Sequence, residues 1–356
     1  MPTNVRFLQA EHGDAILISH TAATETFTIL VDGGPRTAFR NITAKRDGNL
    51  KKELERLIKE ETLIDLLILT HIDSDHIGGL LEAFKEPSYL PKLVKKVWFN
   101  SANSVASALS LETNQTHLIN DDFSTSRQTS VQEGTTFEGL LKKYGIWDEA
   151  LIDNSHRSNL TNQIEALVLS PCKSKLQELL KKWRPFNDNQ NLLTSGCKHD
   201  YNDSYKSLLA SDAFEEDKSP TNGSSISLLL TISDRNILLL GDCHPSTIVK
   251  SLRDLGYDEA NPLVCEIIKI SHHGSKKNTS PELLKLITAK SFVILTDGSS
   301  HCLPNKLTLA RIHNQHPKSE ILFNYPDLIK VIYTDDERRA LGNTIGSVKE
   351  VIEIAD

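Results

Sequence analysis

The sequence predicts a layered α/β fold, and three observations carry that expectation. Apolar runs of strand length recur at 63–69, 225–232, 237–240, 266–270 and 291–296. Segments with apolar residues at helical spacing alternate with them. The best-formed runs stop at Thr, Gly, Asp or His, the residue types that turn a chain or hold a ligand at a sheet edge.

The elements follow in order. Residues 5–8, 15–19 and 27–31 read as short strands punctuated by Gly13-Asp14 and Asp32-Gly33-Gly34. In 49–61, Leu50, Leu54, Leu57 and Ile58 form one apolar stripe opposite a charged face, so a helix is expected. The run 63–69 is apolar almost throughout and reads as a buried central strand. A polar loop at 71–76 leads through Gly78-Gly79 to a short helix closed by Pro87, and 93–99 reads as a strand. Residues 101–135 are rich in Ser, Thr, Asn and Gln and read as a surface excursion, the core of a polar insertion spanning about 101–160. Within and after it come a helix at 137–147, a strand at 164–170 and a helix at 173–183. A second polar insertion is expected at 186–223. The runs 225–232 and 237–240 flank a Ser-Asp-Arg-Asn turn and read as a hairpin. Helices near 245–255, 281–287 and 307–313 then alternate with strands at 266–270 and 291–296, and a last strand is expected at 329–333.

Composition narrows the functional classes. Lys+Arg is 40 against 47 Asp+Glu, a net charge of −7, which speaks against a general nucleic-acid coat and leaves room for a local basic groove. Apolar residues make 38% of the 356, enough to bury a substantial core. No run approaches the ~18 apolar residues of a membrane helix, and the first residues lack the pattern of a secretory leader. Cys172, Cys197, Cys243, Cys265 and Cys302 are scattered without a CxxC pair. Reduced thiols and a cytoplasmic location are therefore the expectation.

The chemistry concentrates at three strand ends. After 63–69 stand His71, Asp73, Asp75 and His76, two imidazoles and two carboxylates within six residues. A tight loop could send the first pair to one cation and the second pair to another, since ions in two-metal sites lie about 3.5–4 Å apart. After 237–240 comes Asp242, whose two oxygens suit a bridging role; after 266–270 come His272 and His273. Asp242 is a weak signal alone and the paired histidines an intermediate one, and both gain weight from the first.

Gly13-Asp14-Ala15-Ile16-Leu17-Ile18, Ile29-Leu30-Val31-Asp32-Gly33-Gly34 and Thr70-His71-Ile72-Asp73-Ser74-Asp75-His76-Ile77-Gly78-Gly79 together resemble the metallo-β-lactamase superfamily. Its nearest branch is the hydrolase domain of ComEC-type DNA-uptake proteins, which carries H-x-D-x-D-H where most of the superfamily has H-x-H-x-D-H. The resemblance implies an αββα sandwich, here one domain over 1–356 interrupted by the two insertions, with a metal site at one edge of the sheets. It implies that His71 and Asp73 hold one metal and Asp75 and His76 the other. Asp242 would bridge them, one of His272 and His273 would complete the second site with His272 preferred, and Asp32 would orient the ligand loop. Asp75 and His76 are the expected catalytic pair.

Two departures stand out. The further His that most of the superfamily supplies ahead of the Gly-Asp hairpin is absent from 219–225, and His301 stands two positions from a family His. His301 as a replacement and His301 as a loop residue both remain open. The membrane channel of ComEC has no counterpart here.

The resemblance implies two divalent ions, zinc first and manganese as the harder alternative, and a metal-bound hydroxide as nucleophile. Lys276 and Lys277 follow the His-His-Gly-Ser motif and are candidates for holding an anionic substrate, a nucleotide or nucleic acid among them. Three readings compete: a phosphodiesterase or nuclease-like hydrolase; a lactone, thioester or lactam hydrolase of the same fold; and a regulatory metal-binding subunit that meets protein partners through the insertions.

Overall fold

The computed structural model describes residues 2–23, 25–111, 130–182 and 198–355. The expectations for 112–129 and 183–197 lie outside the described residues. The strands, in chain order, are β1 (Thr3–Phe7), β2 (Ile16–Ala22), β3 (Glu25–Val31), β4 (Arg40–Asn41), β5 (Arg46–Asp47), β6 (Leu66–Ile68), β7 (Val97–Trp98) and β8 (Arg157–Asn159). They continue with β9 (Ile164–Ser170), β10 (Ser227–Ile232), β11 (Arg235–Leu239), β12 (Leu263–Lys269), β13 (Ile287–Ile294), β14 (Glu320–Phe323), β15 (Ile345–Ser347) and β16 (Ile352–Ile354).

Two sheets dominate. One has the order β16-β1-β2-β3-β6-β7 and the other β15-β14-β13-β12-β11-β10-β9-β8, with β4 and β5 forming a small separate ribbon. Alternation along each strand explains how they stack, because successive side chains point to opposite faces. Ile29, Val31, Leu66 and Ile68 of the first sheet share a core with Leu228, Leu230, Ile237, Leu239 and Ile267 of the second. Their neighbours face outward: Leu30 and Leu67 pack against the helices Asn49–Lys59 and Ser74–Lys85. Leu229, Leu238 and Ile268 pack against the helices Pro245–Asp254, Pro281–Leu286 and Lys306–Gln315. The result is a four-layer αββα sandwich, as expected.

Strand direction sets the functional edge. β3 and β6 run parallel, as do β11, β12 and β13. Their carboxyl ends therefore gather on one side, and Asp32, His71, Asp242 and His272 follow those ends directly.

Three local expectations are corrected. The helix expected after Gly79 begins at Ser74, with Asp73 as its N-cap, so Asp75 and His76 lie on its first turn and not in a loop. The segment 329–333 is helical: Asp327–Ile332 buries Leu328 and Ile332, four apart, and exposes Val331. The expected strand lies instead at β14, which pairs parallel to β13. Cys302 is disulfide-bonded, against the expectation of reduced thiols, while Cys172, Cys243 and Cys265 are free. Among the described residues no helix is long and apolar enough to cross a membrane.

The Ser74–Lys85 helix is locked to the loop after β3. Gly33 N donates to His76 O at 2.9 Å and Gly79 N to Gly34 O at 2.8 Å. At Gly79 a Cβ would stand 2.1 Å from Gly33 O, so only glycine permits this approach. Gly79→Ala should therefore destabilise the fold by about 2–3 kcal/mol, the scale of an overpacked interior, read as a lower urea midpoint with unchanged m. An unchanged midpoint would show that the helix does not need this contact.

Candidate metal centre

The site is best built from its most buried carboxylate. Asp242 follows β11 and is 2% exposed. Its Oδ2 lies 3.7 Å from His71 Nε2, 3.5 Å from His76 Nε2, 3.8 Å from His272 Nε2 and 3.9 Å from His273 Nε2. Two further carboxylates flank this convergence. Asp73 Oδ2 is 3.6 Å from His71 Nε2; Asp75 Oδ2 is 3.3 Å from His273 Nε2 and 3.9 Å from His76 Nε2.

The other ring nitrogens show which way each imidazole presents its lone pair. His273 Nδ1 lies 2.8 Å from Leu295 O, a carbonyl that can only accept, so Nδ1 carries the proton. His76 Nδ1 donates to Asp32 Oδ2 at 2.8 Å. The Thr70 hydroxyl donates to the same Oδ2 at 2.7 Å, which leaves its oxygen to accept from His71 Nδ1 at 3.1 Å. With Nδ1 protonated, His71, His76 and His273 thus turn their Nε2 atoms toward Asp242, where each carries either a second proton or a lone pair. All three of those nitrogens, and Asp242 Oδ1, are buried without a hydrogen bond among the described residues.

Lone pairs directed at a carboxylate oxygen repel one another, and a buried polar atom without a partner is costly. Only protons on the rings or cations between the groups relieve this. In the chain alone the strain appears as shifted ionisation. Burial opposes charge on His273, yet Asp242 and Asp14 lift its imidazole to about 10. Burial also opposes charge on His76, and Asp242, Asp32 and Asp75 raise it well above the usual value. Against the same burial, His76 and His273 hold the Asp75 carboxyl far below the carboxylate range. This imidazole and carboxylate donor set fits divalent zinc or manganese. Groupings of candidate ligand atoms include the buried His71, His76 and Asp242, and the half-buried Asp75 with buried His76 and His273.

The surroundings hold the donors rigidly. Asp32, completely buried, accepts from Thr70 N at 2.8 Å as well as from the Thr70 hydroxyl and His76. At Gly13 a Cβ would stand 2.0 Å from Asp75 O, so the 13–14 turn can press against the ligand helix. Lys269, the last residue of β12, is fully buried, pairs with Asp14, and lies 3.1 Å from Gly241 O and 3.8 Å from Asp242 Oδ1.

The expected residues separate into two groups. His71, Asp73, Asp75, His76, Asp242, His272 and His273 converge, with Asp32 behind them. Of the two adjacent histidines, His273 and not the preferred His272 sits beside Asp75 and His76. His301, Lys276 and Lys277 instead line a cavity of about 410 Å³ in front of the cluster, together with Asp73, His272 and Lys198. Asp14, Lys198, Asp217, Lys269 and Asn278 were not anticipated from sequence. Lys269 carried a legible signal, a lone lysine in the apolar run Glu-Ile-Ile-Lys-Ile, and Asp14 stood in the Gly13-Asp14 motif without a role assigned to it; the other three carried none.

Residues 9–138 match the sequence profile of the metallo-beta-lactamase superfamily, a span that includes Asp14, Asp32 and the 71–76 cluster. No curated protein matches the chain significantly. Similar solved structures include a candidate metal-dependent hydrolase from Parabacteroides distasonis ATCC 8503, at 10% identity and TM-score 0.40, covering 91% of this chain and 94% of that one. The CmlA beta-hydroxylase E377D mutant matches at 12% identity and TM-score 0.40, over 100% of this chain and 54% of that one. A protein of unknown function from Enterococcus faecalis V583 matches at 11% identity and TM-score 0.31, over 76% and 49%. At these scores none of the three bears on this chain's substrate.

Asp32→Asn tests the orienting network. An amide has one accepting oxygen where the carboxylate has two, so its NH2 faces either Thr70 N or the Thr70 hydroxyl and His76 Nδ1, and the network behind His76 is broken in either orientation. Zinc affinity by competition titration should fall about 10–100-fold, the usual cost of losing a partner behind a ligand, with the far-UV spectrum retained. Unchanged affinity would refute the tautomer assignment.

Proposed function

We propose that the protein is a metal-dependent hydrolase with a two-cation centre acting on an anionic substrate, a phosphodiester first among the candidates. The convergence of imidazole Nε2 atoms on Asp242 Oδ2 is the observation that supports this most directly. In this reading His71 and Asp73 serve one cation position. Asp75, His76 and His273 serve the other, and Asp242 is shared. Bound divalent cations would lower the pKa of a water toward neutrality and polarise the scissile oxygen of the substrate.

The chain's own residues do the rest. Asp32 and Leu295 O hold the Nδ1 protons of His76 and His273, so their Nε2 atoms already face inward and offer lone pairs once a cation displaces any proton there. Lys269 and Asp14 hold Asp242 and His273 from behind. Lys198, Lys276 and Lys277 bring positive charge to the cavity in front of the cluster. On a chain of net charge −7 this matters, because the global field repels an anion and a local one must draw it in. The cavity, about 410 Å³, is of a size that admits a nucleotide-sized group. The H-x-D-x-D-H pattern at 71–76 supports a ComEC-type hydrolase module over other members of the fold.

Elemental analysis should find about two divalent ions per chain in the wild type and fewer in Asp75→Ala and Asp242→Ala. Equal metal in all three would sink the centre.

Hydrolysis of bis(p-nitrophenyl) phosphate and single-stranded DNA tests the substrate class. The double change Lys276→Ala with Lys277→Ala should raise KM several-fold to about tenfold and leave kcat nearly unchanged, since the contacts serve ground and transition states alike. The effect should shrink at high salt. A double variant indistinguishable from wild type on every phosphodiester, alongside rapid turnover of a neutral lactone or thioester, would move the assignment to those substrates.

A further inference from the structure

We propose that His272 completes the cation position served by His71 and Asp73, in place of the imidazole that the 219–225 segment lacks; the assignment rests on the metal-centre reading above. His272 and His273 both adopt left-handed backbone conformations, with φ of 48° and 53°. Such a conformation is costly for any residue but glycine, and two in succession persist only where the surroundings impose them. The consequence is geometric. The two rings lie 69° apart in plane with centroids separated by 5.9 Å, so adjacent side chains reach different sides of Asp242. His273 goes to Asp75 and His76. His272 has no such contact with Asp75: its Nε2 stands 3.8 Å from Asp242 Oδ2, the oxygen all four imidazoles face, and with Asp73 it lines the cavity that His273 does not.

The tautomer of His272 is fixed by a buried relay through Asn278. The Asn278 amide nitrogen lies 3.1 Å from Asp217 Oδ2, 3.1 Å from Asp242 O and 3.3 Å from Cys243 O, three groups that accept and do not donate. The amide oxygen must therefore be the atom that lies 3.0 Å from His272 Nδ1, which in turn must carry the proton. Nε2 is left with a lone pair, aimed at Asp242 Oδ2 from 3.8 Å. A residue merely filling the loop would not need a completely buried asparagine to set its tautomer.

The segment without the histidine takes part differently. Thr221 donates to Asp73 Oδ2 at 3.2 Å. Asn222 donates to Asp217 at 2.6 Å and stands 3.4 Å from His272 Nδ1. Residues 219–223 thus brace Asp73 directly and, through Asp217, the Asn278 amide behind His272. With His272 assigned this way, each cation position has two imidazoles, one carboxylate of its own and a share in Asp242.

Titration with Zn2+ and elemental analysis of ligand-loop variants separate this from the alternatives. Glycine is the replacement of choice, because it removes the ring and accepts the left-handed backbone. Wild type should take two ions. His272→Gly should keep one and bind the other at least 100-fold more weakly. Adding Asp73→Ala to His272→Gly should leave that one ion in place, whereas adding His273→Gly should remove it. Circular dichroism checks the fold, and His272→Asn, which also tolerates the left-handed region, repeats the measurement should the glycine variant be unstable. Two ions bound by His272→Gly with unchanged affinity would overturn the assignment and leave the metal centre standing. So would loss of the retained ion on adding Asp73→Ala but not His273→Gly. A wild type that takes no ion would overturn both.

Discussion

Asp242 Oδ2 is the point on which the structure turns. Four imidazole Nε2 atoms stand 3.5–3.9 Å from it at the edge of the sandwich, three of them on buried rings and the fourth, that of His272, bordering the cavity. Buried lone pairs so arranged repel unless something positive lies between them, and hydrogen bonding from behind each ring keeps the rings from turning away. Asp32 with Thr70, Leu295 O and Asn278 all do this work from different strands and loops. A core that favoured stability alone would put apolar groups here, because buried charge is rarely a net gain.

The sandwich makes that arrangement affordable. Two parallel strand sets end on one edge, so residues far apart in sequence emerge side by side without long loops. Stiff, alternating strands with cores on both faces hold the positions of the chain just beyond them. Lys269 is the clearest instance: it is the last residue of a buried strand, and its ammonium lies between Asp14 and Asp242. Burial opposes its charge, but Asp14 and Asp242 raise its pKa, so it stays a fixed cation that offsets part of the carboxylate charge when no metal is bound.

The second polar insertion belongs to this site in its described part. Asp212 pairs with Arg311 of the helix Lys306–Gln315, and Asp200 accepts from the backbone of Lys306 and Leu307. Asp217 then reaches Asn222 and Asn278. The stretch from Lys198 to Gly223 therefore forms one wall of the cavity and supports His272 from outside the sheets. Residues that composition marks as a surface excursion thus contribute to ligand geometry.

By itself the residue pattern determined a layered α/β fold, most strands, the hairpin and the cluster at 71–76, because apolar periodicity and turn residues act over a few positions; the αββα order came from the family resemblance. It carried His71, Asp73, Asp75, His76 and Asp242 as ligand types at strand ends. Local pattern misled where two periods fit the same residues. Ile-Lys-Val-Ile-Tyr at 329–333 has the composition of a strand, and only the burial of Leu328 with Ile332 made it a helix. Whether Asp75 sits in a loop or on a helix depended on the fit of Gly79 against Gly33. Which of His272 and His273 stands beside Asp75 and His76 was beyond any reading of adjacent identical residues. Two left-handed φ angles, Leu295 O after a neighbouring strand and Asn278 six residues on decided it, and those contacts exist only once the chain has folded.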